Sequence, residues 1–396
     1  MRQRIFRTSL AAVLAQTTIA VFAAEAARTV TSNNFNPAVS LILDGKFANL
    51  KEDPAAYALP GFALGAETGP GEKGFRLGES ELVISANVDD KFYGSLTAAV
   101  TPESETEVEE AFFETLQLGG GATIKAGRFF SHVGYLNNVH AHAWDFVDQP
   151  LAYRALLGNQ FGDDGAQLRW VAPTDLFLEL GAEAFRGDAF PAGGAAKSGK
   201  GAKAAFVHIG GDVGTSHAWR AGISHLAADA VDRATGDEAT PDLFNGKSKL
   251  SGVDFIWKWA PHGNSKERNA KFQAEYWTRD EDGAFDPQSA GAPVAVDGKQ
   301  RGWYAQAIYQ FMPRWRAGLR FDKLRADPVD AALAGTVLDN QGHDPKRTSL
   351  MVDWSNGEFS RLRVQVNRDD SRANVTDTQW YLQYIMSLGA HGAHSF

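Results

Sequence analysis

The residues best equipped for chemistry are few. His140 and His142 lie in Asn138-Val-His-Ala-His-Ala-Trp144. A His-x-His pair near a carboxylate, here Asp145 or Asp148, suits zinc or a similar borderline metal. The same residues also fit a structural loop whose imidazoles hydrogen-bond backbone, and both readings stay open. His391 and His394, in Gly389-Ala-His-Gly-Ala-His-Ser-Phe396, are a second, weaker pair. Gly194-Ala-Ala-Lys-Ser-Gly199-Lys200 comes close to a phosphate-binding loop. However, Gly201 replaces the required Ser or Thr and a strand pattern follows, so it reads as a flexible exterior loop. No Ser/His/Asp cluster has local support, so no catalytic residue is named and no enzyme is expected.

The elements that must position these residues begin after an export signal. Arg2, Arg4 and Arg7 precede a mostly apolar run from Leu10 to Ala24, with small-residue cleavage sites at 23–26; residues 1–23 read as a signal peptide. That run is too short, and too broken by Gln16, Thr17 and Thr18, to span a membrane as a helix. The 396-residue chain carries a net charge of −9, which argues against nucleic acid as a partner. It has no cysteine, hence no disulfide framework or thiolate metal site. Its mean hydropathy of −0.29 suits a soluble protein, and equally a barrel with a wet lumen.

From about residue 39 to residue 388 the hydrophobicity alternates with period 2 in runs of about ten residues. The gaps between runs alternate, long then very short. Asp89-Asp90, Gly119-Gly120-Gly121, Pro173-Thr174, Gly214-Thr215, Met312-Pro313 and Asn356-Gly357 mark short turns. This predicts an all-β, transmembrane antiparallel β-barrel of about sixteen strands, with both termini on the short-turn side. The longest connection, Ser131–Asp163, is expected to fold into the lumen and constrict it. Residues 389–396 remain as a C-terminal tail.

The strands can be phased. Trp315, Ala317, Leu319 and Phe321 share one face; Leu362, Val364 and Val366 share another. A Lys or Arg facing mid-bilayer lipid costs roughly 2–4 kcal/mol, so the charged faces are placed inside. The early strands then supply Glu79, Glu81, Glu110, Glu114, Glu179 and Glu183, and the late ones Arg314, Arg316, Arg320, Arg347, Arg361 and Arg363. Two readings follow. Either a field crosses a water-filled pore, its basic wall favouring anionic or polar solutes, or opposite charges pair and fill the lumen. Trp170, Trp219, Trp257, Trp259, Trp303, Trp354 and Trp380 are expected to form interfacial girdles.

Three blocks carry a family likeness: Ala126-Gly-Arg-Phe-Phe130, Trp144-Asp-Phe-Val-Asp-Gln-Pro-Leu151 and Gly162-Asp-Asp-Gly-Ala-Gln-Leu-Arg-Trp170. With them the chain resembles the porin superfamily that includes phosphate-selective porins. Glu109-Glu-Ala-Phe-Phe-Glu114, Ala172-Pro-Thr-Asp175 and the His-containing tail resemble a subset labelled zinc-regulated TonB-dependent outer-membrane receptor. The likeness implies a porin channel in a Gram-negative outer membrane, surrounded by lipid and passing small polar or anionic solutes by diffusion. It also implies recognition of Phe396 by the barrel-assembly machinery, and a homotrimer. No cofactor is called for, although zinc would suit His140 and His142. The second reading is an uptake receptor for zinc or a metal complex. Strands beginning near residue 39 leave no room for the plug such receptors carry.

Overall fold

The computed structural model describes residues 37–65, 68–101, 105–194, 201–236, 239–289 and 292–389. The signal segment, the Ala195–Lys200 stretch and the tail bearing His391, His394 and Phe396 lie outside the described residues. The chain forms a closed antiparallel barrel of sixteen strands. In order these are β1 Ala38–Leu50, β2 (in two pieces, Gly74–Leu77 and Ser80–Asn87), β3 Phe92–Val100 and β4 Thr106–Thr115. Next come β5 Ala122–Phe130, β6 Gly162–Val171, β7 Phe177–Phe185 and β8 Ala202–Val213. The second half holds β9 His217–Thr235, β10 Asp242–Trp259, β11 Asn269–Asp286 and β12 Val294–Met312. It ends with β13 Trp315–Ala326, β14 Lys346–Gly357, β15 Ser360–Asp370 and β16 Asp377–Gly389. Each strand pairs with the next, and β1 closes the ring on β16 from Ser40↔Gly389 to Leu50↔Gln379. Closure leaves no unpaired edge, which lipid would not tolerate.

The alternation resolves as the bilayer requires. Leu82, Phe113, Leu168, Ile223, Leu350 and Val364 are exposed on the outer wall, where lipid replaces water. Trp219 pairs with Trp257 and Trp315 with Trp354 beside the short turns. Trp380 lies toward the opposite end of its strand, and Trp303 at the middle of the long β12, nine residues from its short-turn end.

Strand ends at the short turns fall close to the expected residues, whereas those on the long-loop side run further. β9 continues to Thr235 and β11 to Asp286, 19 and 18 residues against the runs of about ten that the alternation marks. Beyond the bilayer the outer face no longer needs to be apolar. There Asp229 faces Lys247 and Asp280 faces Lys249, so the ladder persists after the hydrophobic pattern has ended.

The connection between β5 and β6 enters the barrel and carries a seven-residue helix, α1 Leu151–Leu157, every residue of which is buried. Leu151, Tyr153, Leu156 and Leu157 form one core with Phe129, Phe161, Phe185, Trp277 and Leu324. The first long connection closes over this core, burying Leu59 and Phe62. Gln300 Nε2 donates to Gly61 O at 2.6 Å and Gly61 N to Val337 O at 3.1 Å, which fixes that cover.

Candidate functional site

The inward-facing arginines of the late strands come interleaved with Asp322 and Asp353, and the glutamates of the early strands with Lys125 and Arg169; the segment 131–161 runs between these two sides, called basic and acidic below after their commoner charge. On the basic side, Asp148 sits among cations from two strands and from α1, with two amides from a third strand. Its carboxylate accepts from Arg320 at 2.6 Å and Arg347 at 2.9 Å, from Gln365 at 3.0 Å and Asn367 at 3.1 Å, and from Arg154 of α1 at 3.2 Å. Burial by itself would raise this carboxyl; Arg347, Arg320 and Arg154 outweigh burial and hold it well below the usual carboxylate range. Asp145 is likewise depressed against burial, by Lys271 and Arg316, both of which it pairs with. Arg363 donates to Trp144 O at 2.6 Å and Arg361 to His142 O.

On the acidic side, Glu183 accepts from Ser131 Oγ, and from His132 N at 3.0 Å. Its strand neighbour Glu179 meets His208 at 2.9 Å and Arg169 at 3.4 Å. Glu114 lies 3.3 Å from Arg169 and 3.9 Å from Lys125. Between the walls, Tyr153 OH donates to Glu275 at 2.9 Å and Gly134 N to Ser224 Oγ at 2.9 Å. The inserted segment is therefore tied around much of the circumference by groups that would be costly to leave unpaired.

Several expected site residues are corrected by these positions. Arg314 does not line the lumen: it is exposed in the two-residue turn after β12, at φ +72°, a position the turn requires. Glu79, half-buried, falls with Gly78 in the interruption of β2, where the Asp44 carboxylate occupies the space a side chain at Gly78 would need. Arg320, Arg347 and Arg363 are on the basic wall, but their side chains are 0–1 % exposed and committed to Asp148, Asp322 and Asp353. Less fully buried on this side are Arg316 (23 %) and Lys271 (21 %), with Arg361 partly buried nearby. Lys271 was not singled out from sequence, although its alternation with Gln273 and Glu275 on β11 places it inside.

The two histidines do not meet the carboxylates expected of them. Asp145 and Asp148 belong to the basic side; His140 and His142 turn to the acidic wall. His140 Nδ1 lies 3.4 Å from Glu81 Oε2 and 3.4 Å from Glu109 Oε2, and its Nε2 is 3.0 Å from Glu110. His142 Nδ1 is 2.6 Å from the other oxygen of Glu81. Burial opposes a charge on His140, but Glu81, Glu109 and Glu110 overcome it and raise its pKa well above the ordinary imidazole value. Glu109 reaches the lumen through a β-bulge: Thr97 pairs with Glu110 and Ala98 with Val108, which leaves Glu109 as the extra residue. Two consecutive glutamates thereby face inward.

No family model matches the chain. An uncharacterized protein of Aquifex aeolicus (strain VF5) is 30% identical over 390 residues, spanning 91% of this chain and 80% of that protein. Among solved structures, a trimer form of OmpT, an outer membrane protein of Vibrio cholerae, superposes with a TM-score of 0.55 at 12% identity, covering 89% of this chain and 99% of that one. The outer membrane channel DcaP of Acinetobacter baumannii gives 0.52 at 12% identity, covering 89% and 97%. At such identities these two likenesses are of fold. With a sixteen-stranded barrel of the kind found in outer-membrane porins and channels, the chain belongs to the same family as the Aquifex aeolicus protein.

Proposed function

We propose that the protein is an outer-membrane channel of a Gram-negative bacterium, passing small polar and anionic solutes by diffusion through a lumen constricted by residues 131–161. The observation that carries this is the inserted segment itself: a long connection drawn inside a closed barrel and tied to both charged walls. It sets a size limit, while Arg316, Lys271 and Arg361 give the remaining aqueous surface a basic side. The likeness of the blocks 126–130, 144–151 and 162–170 to the porin superfamily that includes phosphate-selective porins supports the preference for anions. The pairing reading also has a place here, since Arg320, Arg347 and Arg363 hold the constriction rather than the solute. No catalytic step is part of this function.

Planar-bilayer recording of the purified chain tests it. We expect small, stable open steps in the absence of any ligand, and a reversal potential in a KCl gradient that favours chloride. Arg316→Glu should move that reversal potential toward cation preference. Silence in simple salt would overturn the channel reading in favour of metal uptake by a receptor, the function that sixteen strands support less well. A homotrimer, the assembly of the OmpT trimer form, is part of the same proposal and is checked by the mass of the detergent-solubilised protein.

A further inference from the structure

We propose that Glu81, Glu109 and His140 form a binding site for a divalent transition cation of the zinc type, joining the inserted segment to the acidic wall. The donor atoms of these three residues all lie within 4.8 Å of one another. Ligands about 2.0–2.2 Å from a tetrahedral zinc stand roughly 3.3–3.6 Å apart. The two 3.4 Å separations from His140 Nδ1 match that edge length. One nitrogen with two carboxylate oxygens suits zinc, with further positions left for water.

Three independent features support the site. First, His140 Nδ1 and Glu109 Oε2 are buried atoms that make no hydrogen bond of acceptable geometry. Second, the surrounding residues match the outer shell of metal sites. A ligating imidazole usually donates its other N–H to a carboxylate, and His140 Nε2 faces Glu110 at 3.0 Å. His142 is not a ligand here; its Nδ1, 2.6 Å from Glu81 Oε1, orients that carboxylate. Third, the bulge in β4 is what brings Glu109 inside. In a regular ladder one of two adjacent glutamates would face lipid, so the irregularity delivers a second carboxylate to one place. Glu109 and His140 retain 12 % and 21 % side-chain exposure, which leaves a path for an ion from the lumen.

The test uses the chain stripped with a chelator and titrated with zinc alone by calorimetry, and with cobalt(II) for its visible absorption. We expect one zinc per site with sub-micromolar affinity, and for cobalt the intense bands of a four-coordinate centre. Glu109→Gln and His140→Gln should each weaken zinc binding at least 100-fold and abolish those bands. His262→Gln, in an exposed turn, should leave binding unchanged. Glu109→Gln alters charge at a bulge with little change in volume, so it decides the matter even if His140→Gln fails to fold; heat-modified gel mobility verifies the barrel. Zinc should also raise the melting temperature of the unsubstituted chain but not of Glu109→Gln. If the unsubstituted chain takes up no zinc, or Glu109→Gln binds it equally well, the site is refuted. Conductance without zinc bears on the channel alone, so the two proposals fail separately.

Discussion

Without the carboxylate of Asp148, Arg320 and Arg347 would share Asp322, with Asp369 across the ladder from Arg347, inside the barrel. Breaking a buried pair by removing one partner typically costs about 3–5 kcal/mol. Asp148→Ala should therefore lower the melting temperature and free the inserted segment from the basic wall. In a bilayer this would appear as larger and noisier conductance steps. The pH dependence follows from the direction of the shift. An unfolded aspartate titrates near 3.9, and the folded group lies well below its ordinary range. Its contribution is thus complete above about pH 5 and is lost only as the pH falls through the depressed folded value. Melting curves from pH 5 to 8 should show no loss attributable to Asp148; a drop within that window that disappears in Asp148→Asn would contradict this assignment.

The inserted segment acts as a unit, so its removal is a different experiment from any point change. Replacing residues 138–157 with a short Gly-Ser linker should leave the sixteen-strand ladder intact and raise single-channel conductance several-fold, because α1 and its surrounding core fill the lumen at that level. How much of this was readable varies with the element. The strands were legible because lipid on one side and water on the other impose a period-2 pattern. Ends on the long-loop side were not, because that contrast stops before the hydrogen-bond ladder does. Entry of Ser131–Asp163 into the lumen was legible from its length, but its attachments were not: Asp148 and its partners on the wall strands are separated by 172 to 219 residues. The bulge had a trace that could have been used. Val108 and Phe113 both face lipid although five residues apart, an odd interval that an unbroken strand cannot accommodate. Counting that parity would have placed Glu109 on the inner face, though not beside His140.

For the molecule as a whole, the outer wall determines where the protein can reside. Val364 is 43 % exposed on the lipid-facing side of β15. Val364→Arg should cost roughly 2–4 kcal/mol if it falls near mid-bilayer, and urea titration of the barrel in lipid would measure the loss. The same substitution one position along, at Gln365, would instead disturb the Asp148 cluster. Measuring both variants separates a lipid penalty from a lumen penalty within one strand. The overall architecture was the most readable level of all, since a closed ring with alternating short and long connections admits few alternatives once every strand has a wet face and an oily one.

The distance along the chain between Asp148 and the residues that hold it also sets an order of events. Segment 131–161 is synthesised well before β13, β14 and β15, which carry Arg320, Arg347, Gln365 and Asn367. Until those strands have been added, no cationic wall exists for Asp148 to dock against. Docking of the segment on that side therefore waits for β13, β14 and β15, and the lumen is filled only once they are assembled. A newly assembled barrel should for a time be leakier than the mature one, and chains caught at that stage in a folding time course should conduct more before they conduct less.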